Sequence, residues 1–130
     1  MSVEFKIPGK IKAKARPRFA NGRTYTPKDT VNYENYIKIL YQQVTDITFE
    51  GAVWLDIAAY FQIPKSYSKK KIANTPYPIK KPDADNIGKI VADSLNGIAY
   101  RDDSQIAEMR ISKRWSKSEE YVLVKIGSIE

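Results

Sequence analysis

The sequence predicts an α/β (α+β) fold: a single domain in which two main helices pack on one mixed β-sheet of about four strands. Three observations support this prediction. The chain has 130 residues, the length of one ordinary domain. Apolar and polar residues alternate in several short segments, as in half-buried strands. Two longer segments repeat apolar residues every three or four positions, as in amphipathic helices.

The first part of the chain predicts a strand, a turn and a helix. Apolar residues occupy alternate positions from Val3 to Ile7, which predicts a strand. Asn21-Gly22 has the composition of a hairpin turn. Thr26-Pro27 predicts a helix start, with the threonine hydroxyl as N-cap and proline in the first turn. The helix that follows has one apolar face, formed by Tyr33, Tyr36, Ile37, Leu40, Val44 and Ile47.

The second part supplies most of the sheet. Residues 53–63 alternate in polarity and predict the longest strand, which we expect at the centre of the sheet. Residues 64–82 are rich in proline and lysine and predict a long loop, with a helical turn from Ser68 to Ala73. Two further strands are predicted from Ile106 to Lys113 and from Tyr121 to Ile126.

A second helix is predicted between the long loop and the last two strands. Apolar residues recur at helical spacing from Ile87 to Ile98 and form one buried face. Asp85 or Asn86 is the expected N-cap, and Asn96-Gly97 is the expected end. The opposite face carries charged residues at four-residue steps, namely Asp85, Lys89 and Asp93.

The composition excludes several kinds of chemistry. The chain has no cysteine and no histidine, which rules out disulfides, thiolate zinc sites and histidine bases. The formal net charge of +7 indicates a polyanionic partner. No apolar run approaches the roughly 18 residues of a membrane helix, and no signal peptide is recognisable. We therefore expect a cytoplasmic protein with no membrane partner.

The acidic residues predict a metal site. Five of the fifteen lie between Asp83 and Asp103, in a basic protein. Two unit negative charges about 4 Å apart repel by roughly 4 kcal/mol at an effective dielectric constant of 20. A cluster of Asp83, Asp85 and one of Asp102 or Asp103 therefore needs a cation or shared protons, and carboxylates suit magnesium, manganese or calcium. The structural alternative is that Asp83 starts a turn and Asp85 caps the helix. An EF-hand is excluded, because isoleucine and serine occupy its fifth and twelfth positions.

Two segments concentrate the positive charge. Residues 6–28 hold eight lysine or arginine residues and no acidic residue, and we call residues 10–28 the basic arm. The basic loop, residues 64–82, holds six lysines and no acidic residue. We interpret it as a mobile flap that grips phosphates and leads into the acidic site, residues 83–103. The alternatives are a solvated charged loop for the basic arm and a flexible insertion for the basic loop. The expected DNA contacts are Lys14, Arg16, Arg18, Arg23, Lys69, Lys70, Lys71, Lys80 and Lys81.

The acidic residues belong to a longer pattern, Lys81-Pro-Asp-Ala-Asp-Asn-Ile-Gly-Lys89, Asp93-Ser-Leu-Asn-Gly97 and Asp102-Asp-Ser-Gln-Ile106. It resembles the RusA family of Holliday junction resolvases, whose motif is D-x-D-N-x-x-K, an acidic residue four positions on, and D-D-x-Q after a short link. Arg16-Pro-Arg18 and Thr24-Tyr-Thr-Pro27 extend the resemblance over essentially the whole domain. One difference is Pro82, which stands where some members carry a basic residue; here Lys80 and Lys81 precede it.

The resemblance implies a magnesium-dependent endonuclease, with manganese as a substitute, that resolves four-way DNA junctions by paired symmetric nicks. A homodimer would supply the two nicks from sites related by a two-fold axis. Lys89 would stabilise charge on the phosphate or position the attacking water, and Asn86 would support the site. Asp93 would orient Lys89 or form a simple helix ion pair. The implied catalytic residues are Asp83, Asp85, Lys89 and Asp103, and the implied metal ligands are Asp83, Asp85 and Asp103, with Asp102 as a further candidate.

Other classes of protein compete with this interpretation. Nucleases of the P-D…(D/E)-x-K type share Pro82-Asp83, but no (D/E)-x-K follows in the chain. A sugar-nucleotide transferase with a manganese-binding D-x-D would share the metal but not the basic arm and loop. A non-catalytic branched-DNA-binding protein with a vestigial acidic site is the alternative from a different class. We expect the enzyme, acting in DNA recombination and repair and encoded by a bacterium or a phage.

Overall fold

The structure, a computed structural model, describes residues 1–14 and 18–130. Nine helices and strands are formed by these residues, and a short 3-10 turn (Asp103–Gln105) precedes β5. In chain order they are β1 (Ser2–Pro8), β2 (Arg18–Ala20), β3 (Arg23–Tyr25), α1 (Lys28–Val44), β4 (Val53–Gln62), α2 (Lys69–Asn74), α3 (Ala84–Ser94), β5 (Ile106–Ser116) and β6 (Tyr121–Ser128). None of the described helices is long and apolar enough to cross a membrane.

Four strands form one mixed sheet in the order β1-β6-β4-β5. β4 runs parallel to β5 and antiparallel to β6, which in turn is antiparallel to β1. The parallel pair needs a long crossover, and α2 and α3 both lie in it. The predicted mixed four-stranded sheet and the internal place of β4 are confirmed. β5, with 11 residues, is longer than β4, with 10, so the prediction that β4 is the longest strand was wrong.

The core lies between one face of this sheet and the two longer helices. Alternate residues of β4 are buried, as the sequence pattern predicts. On α1 the buried apolar residues are Tyr33, Ile37 and Tyr41. Tyr36 and Val44 were assigned to the same face but are exposed, and the helix ends before Ile47. The Tyr36 hydroxyl donates instead to the carbonyl of Pro8, 3.1 Å away, which ties α1 to the end of β1.

The start of α1 differs in detail from the prediction. Pro27 occupies the N-cap position, and the described backbone of α1 receives no capping hydrogen bond from a side chain. The assignment of the Thr26 hydroxyl as N-cap was therefore wrong. The Pro27 carbonyl accepts from the amides of Thr30 and Val31 at 3.1 and 3.2 Å, so the helix begins one residue after the proline.

The predicted Asn21-Gly22 turn joins β2 and β3. Asn21 has φ 53° and Gly22 has φ 74°. Positive φ at both central residues is what a tight two-residue hairpin requires, and asparagine followed by glycine tolerates it best. The hairpin is a separate two-stranded sheet, and all six of its strand residues are exposed.

α3 lies directly on β5, and a glycine permits this close approach. Gly88 is buried, and a Cβ atom added there would lie 2.3 Å from Cδ1 of Ile111 and 3.2 Å from the sulfur of Met109. Ile87, Ile90 and Val91 flank it in the core. The contact fixes the helix that carries the acidic motif against the edge of the sheet.

We predict that Gly88→Val destabilises the protein by about 1–3 kcal/mol through overpacking. Ile111→Val removes the Cδ1 atom that the new side chain would meet. The two substitutions together should therefore cost less than the sum of their separate effects. Urea unfolding of the two single variants and the double variant measures this coupling, and strictly additive costs would contradict the contact.

Candidate active site

Asp83 occupies the N-cap position of α3. The prediction that Asp85 or Asn86 is the N-cap was wrong, because the helix already begins at Ala84. Asp83 has extended backbone angles (φ −69°, ψ 151°), and its carbonyl accepts from the Ile87 amide at 3.1 Å. Its carboxylate, however, accepts no capping hydrogen bond from the described backbone. The side chain is exposed beside the first turn.

Other polar residues at N-cap positions in this chain do cap. Ser68 accepts from the Lys71 amide at 3.1 Å at the start of α2. Asp102 accepts from the Ser104 amide at 2.9 Å at the 3-10 turn. An aspartate at an N-cap ordinarily stabilises its helix in this way. The Asp83 carboxylate therefore points to a role other than capping.

The exposed face of α3 carries the predicted charged residues. Asp85 and Lys89 are exposed, and the Asp93 side chain retains 25% of its accessible surface. The buried residues of α3 lie on the other side, as the helical spacing predicts. Asp85 thus lies in the first turn and Lys89 one turn later on the same face, while Asn86 is half-buried.

Asp93 has a partner that sequence spacing did not indicate. Its Oδ2 lies 3.4 Å from Nζ of Lys14, and Oε2 of Glu34 lies 2.9 Å from the same nitrogen. Among the described residues, no ion pair joins Asp93 to Lys89. The structure thus pairs Asp93 with the basic arm, instead of with the lysine that it was expected to orient.

The second acidic pair belongs to a loop that is tightly hydrogen-bonded. The Gln105 side-chain oxygen accepts from the amides of Arg101 and Asp102 at 2.8 and 3.2 Å. Its nitrogen donates to the carbonyls of Phe49 and Gly51 at 3.0 and 2.9 Å. One side chain therefore closes the loop that carries the two aspartates and fastens it to the segment before β4.

The two aspartates of this loop are not equivalent. The hydrogen bond from Ser104 lowers the pKa of the exposed Asp102 carboxyl, which is held as a cap. The Asp103 carboxylate accepts no hydrogen bond from the described residues and is half-buried near Tyr100. Burial raises the pKa of the Tyr100 phenol, and the nearby charges of Asp103, Asp93 and Asp102 raise it further.

The two halves of the predicted ligand set lie near different parts of α3. Asp102 and Asp103 lie near the Tyr100 phenol, whose hydroxyl donates to the Ala92 carbonyl at 2.6 Å. The pair is therefore close to the end of the helix. Asp83 is at its start, about 13 Å away along the axis at 1.5 Å per residue. Within residues 1–14 and 18–130, no three acidic side chains come close enough to hold a metal ion.

The donor set nevertheless fits magnesium. Mg²⁺ is usually held by one or two carboxylates, and waters and substrate phosphates complete its coordination. Asp83 and Asp85 offer two exposed carboxylates at one helix turn, and no nitrogen or sulfur ligand competes. This arrangement suits an ion shared with a bound phosphate better than one enclosed by protein.

Basic residues flank the start of α3 on two sides. Lys12 of the arm and Lys81 of the loop line one groove of about 400 Å³ with Asp83 and Asn86. In the hairpin, the register Arg18–Tyr25 and Ala20–Arg23 puts both arginines on one face. Arg16 lies outside the described residues. The groove therefore brings both basic segments next to the acidic motif.

The basic loop contains a short helix and is attached to β5. Lys69, Lys70 and Lys71 are exposed on α2, and Lys71 also lies 4.4 Å from the centre of the Tyr67 ring. Trp115, whose role the sequence did not decide, donates its indole N–H to the Thr75 carbonyl at 2.8 Å.

Nearer the acidic site the loop has a second attachment to β5. Lys113 donates to the carbonyl of Lys80. The Lys80 ammonium in turn lies 4.0 Å from the Glu120 carboxylate. The basic loop is thus attached to β5 at Thr75, near the middle of the loop, and at Lys80, near the end of the loop. The two attachments limit how residues 75–80 can lie relative to the sheet.

The sequence interpretation missed three residues that shape this site. Glu34 and Glu120 lie in segments assigned to a helix and a turn, and neither belongs to a recognisable motif. Gln105 was noted only as part of the motif, although its side chain makes four hydrogen bonds. Half-buried charged partners of this kind are contributed by distant parts of the chain, so local spacing carries no signal for them.

Comparison with known proteins identifies the family of this chain. Residues 8–127 match the family described as "Endodeoxyribonuclease RusA". The chain is also 33% identical over 126 residues to "Uncharacterized protein YqaN" of Bacillus subtilis (strain 168), covering 88% of this chain and 89% of that protein. The family match covers nearly the whole chain, including every acidic residue of the motif. The chain therefore belongs to the RusA family of endodeoxyribonucleases.

Proposed function

We propose that this protein is a magnesium-dependent, structure-selective endonuclease that resolves Holliday junctions during DNA recombination and repair. One observation carries the proposal beyond family membership. Asp83 stands at the N-cap of α3 but does not cap it, and its exposed carboxylate lies in the groove that both basic segments reach. An acidic group at the centre of a phosphate-binding surface is unfavourable unless a cation is bound there.

Asp83 and Asp85 would hold the magnesium ion, and manganese could replace it; Asp103, the further ligand that the motif implies, lies toward the other end of α3 and does not reach them in this structure. When bound, the ion supplies Lewis-acid activation of water and of the scissile phosphate. Lys89 follows one turn after Asp85 on the exposed face, where its ammonium can stabilise negative charge on the phosphate. Asp102, engaged as a cap, supports the loop that presents Asp103.

DNA would be held by the two basic segments that flank the site. The hairpin arginines Arg18 and Arg23 and the α2 lysines are exposed, so they can reach phosphates without breaking an internal ion pair. Such contacts give affinity that depends on salt and not on sequence. Selectivity for a four-way junction would then come from the shape of the DNA that can touch both segments at once.

The protein would act as a homodimer. Resolution of a four-way junction needs one nick in each of two equivalent strands. Two copies related by a two-fold axis present two equivalent sites to such a substrate. A monomer would have to dissociate, rotate and rebind between the nicks.

The direct test is nicking of a synthetic four-way junction with magnesium. We expect paired nicks with magnesium or manganese, binding without nicking in chelator, and little nicking with calcium, whose longer bonds organise the attack poorly. The Asp83→Asn/Asp85→Asn double variant should bind at least as tightly in chelator, because two charges that face phosphates are gone, but should not nick. Junction binding without nicking by the unmodified protein would favour the non-catalytic alternative, and nicking by the folded double variant would refute the site.

Lys89→Ala should fold and bind the junction normally but nick about 10²–10³-fold more slowly, the usual loss for one transition-state contact. Lys89→Arg need not restore the rate, since the guanidinium is larger and planar. Single-turnover rates at saturating protein separate this loss from a loss of binding. An unchanged rate for Lys89→Ala would make the lysine an ordinary surface charge.

The two aspartates of the second pair should respond differently. Asp102→Ser keeps an oxygen that can cap the 3-10 turn, so we expect nicking within about threefold of the unmodified protein. Asp103→Asn tests the ligand that the motif implies: a fall in nicking of about 10²-fold or more would show that Asp103 reaches the ion when DNA is bound, and an unchanged rate would exclude it as a ligand. If Asp102→Ser is as inactive as Asp103→Asn, both carboxylates serve the metal.

A further inference from the structure

Lys14 has a structural setting unlike that of the other lysines in the basic segments. Its ammonium lies 2.9 Å from the Glu34 carboxylate of α1 and 3.4 Å from the Asp93 carboxylate of α3. The three side chains retain only 19%, 16% and 25% of their accessible surface. One cation thus joins two helices through two partly buried acids.

This setting makes Lys14 a poor phosphate ligand. With one positive and two negative groups, the cluster carries a net charge of −1, which repels a phosphate. Partial burial by itself would lower the pKa of the Lys14 ammonium, but the hydrogen bond and charge of Glu34, together with Asp93, raise it above its usual value. Turning Lys14 toward DNA would leave two like charges close together without a cation.

The cluster holds the arm root, which we define as residues 10–14. Ile11 is buried in the core, and its amide lies 3.3 Å from the Glu120 carboxylate. Lys14 fixes the other end of the same short segment. Lys12 and Ala13 between them line the groove that contains Asp83 and Asn86. The arm root is therefore held beside the acidic motif.

Among the residues that the structure describes, the hairpin beyond the arm root has little other support. All six residues of β2 and β3 are exposed, and within the described part of the chain they pair only with each other, in their own two-stranded sheet. An isolated two-stranded hairpin is at best marginally stable, so its ends determine its orientation. One end joins α1 at Lys28, and the other leads back to the arm root.

We propose that Lys14 is a positioning residue for DNA binding, which acts with Glu34 and Asp93 to hold the arm root beside the acidic motif and thereby to orient the hairpin that carries Arg18 and Arg23. The proposal rests on the proposed function and assigns a role to the last acidic residue of the motif on α3. Asp93 lies on the same side of α3 as Lys89 and pairs with Lys14 of the basic arm. The catalytic face and the DNA-binding arm are thereby joined by one ion cluster.

The test asks whether removal of a negative charge from the cluster raises or lowers the affinity for DNA. Asp93→Asn and Glu34→Gln each remove a negative charge, which by electrostatics alone leaves the affinity for DNA unchanged or raises it. If the cluster positions the arm, both variants should instead bind a four-way junction about threefold to tenfold more weakly in chelator. Asp46→Asn is the matched control, because Asp46 is exposed and lies in no ion pair of the described residues. It should bind as tightly as the unmodified protein or more tightly.

Lys14→Met adds an independent measurement. A positioning lysine touches no phosphate, so the affinity should fall while the slope of log K against log salt stays unchanged. A lysine that contacts a phosphate would reduce that slope by about 0.9 when it is removed. Urea unfolding checks that each variant is folded under the binding conditions. If Asp93→Asn does not fold, Glu34→Gln still provides the test, because it retains the Lys14–Asp93 pair.

Unchanged or higher affinity in folded Asp93→Asn and Glu34→Gln would overturn the proposal, as would a slope reduced by about 0.9 in Lys14→Met. These failures differ from a failure of the proposed function. If the unmodified protein neither binds nor nicks four-way junctions, the function itself is wrong. If it does both and the variants bind like the Asp46→Asn control, only the role of the ion cluster is wrong.

Discussion

Both chain segments that lead into the site are held by one residue, Glu120, at the turn before β6. Its carbonyl accepts from the Gly9 amide at 3.1 Å, and its carboxylate oxygens accept from Ile11 and Gln62 at 3.3 Å each. Lys80 approaches the same carboxylate to 4.0 Å. Since the side chain is only 19% exposed, these partners offset the cost of burying its charge. The start of the arm, the end of β4 and the end of the basic loop are therefore fixed relative to one another.

The seven carboxylates around the site fall into two groups with different physical roles. Glu34, Asp93, Asp102 and Glu120 hold the structure together through ion pairs or backbone amides. A carboxylate engaged in this way can bind a cation only by giving up interactions that stabilise the fold. Asp83, Asp85 and Asp103 have no such engagement among the described residues. Separation of the two groups would leave the proposed ligands available without weakening the scaffold around them.

Local patterns predicted most of the fold but little of what positions the site. Alternation over residues 53–63 and helical spacing from Ile87 both gave elements of the correct type, because burial imposes these periods on neighbouring residues. The Asn21-Gly22 turn was also predictable, because its backbone angles depend on two adjacent residues only. Helix starts were less predictable, since Pro27 and Asp83 took N-cap positions that side-chain preferences assigned to neighbours. The Lys14 cluster joins residues 20 and 79 positions apart, and no short-range pattern reports such a pairing.

In the proposed function, the distribution of charge separates the groups that would bind DNA from those that would cut it. Two lysines of the predicted DNA-binding set, Lys14 and Lys80, have acidic partners within the protein, so they add little to the positive potential facing DNA. That potential comes mainly from the exposed basic residues of the hairpin and of α2. The acidic residues at the start of α3 would oppose the approach of a phosphate until a cation is present. Affinity would thus come from the two flanking segments and hydrolysis from the centre, so that the bound metal decides whether a DNA molecule already held by the protein can be cut.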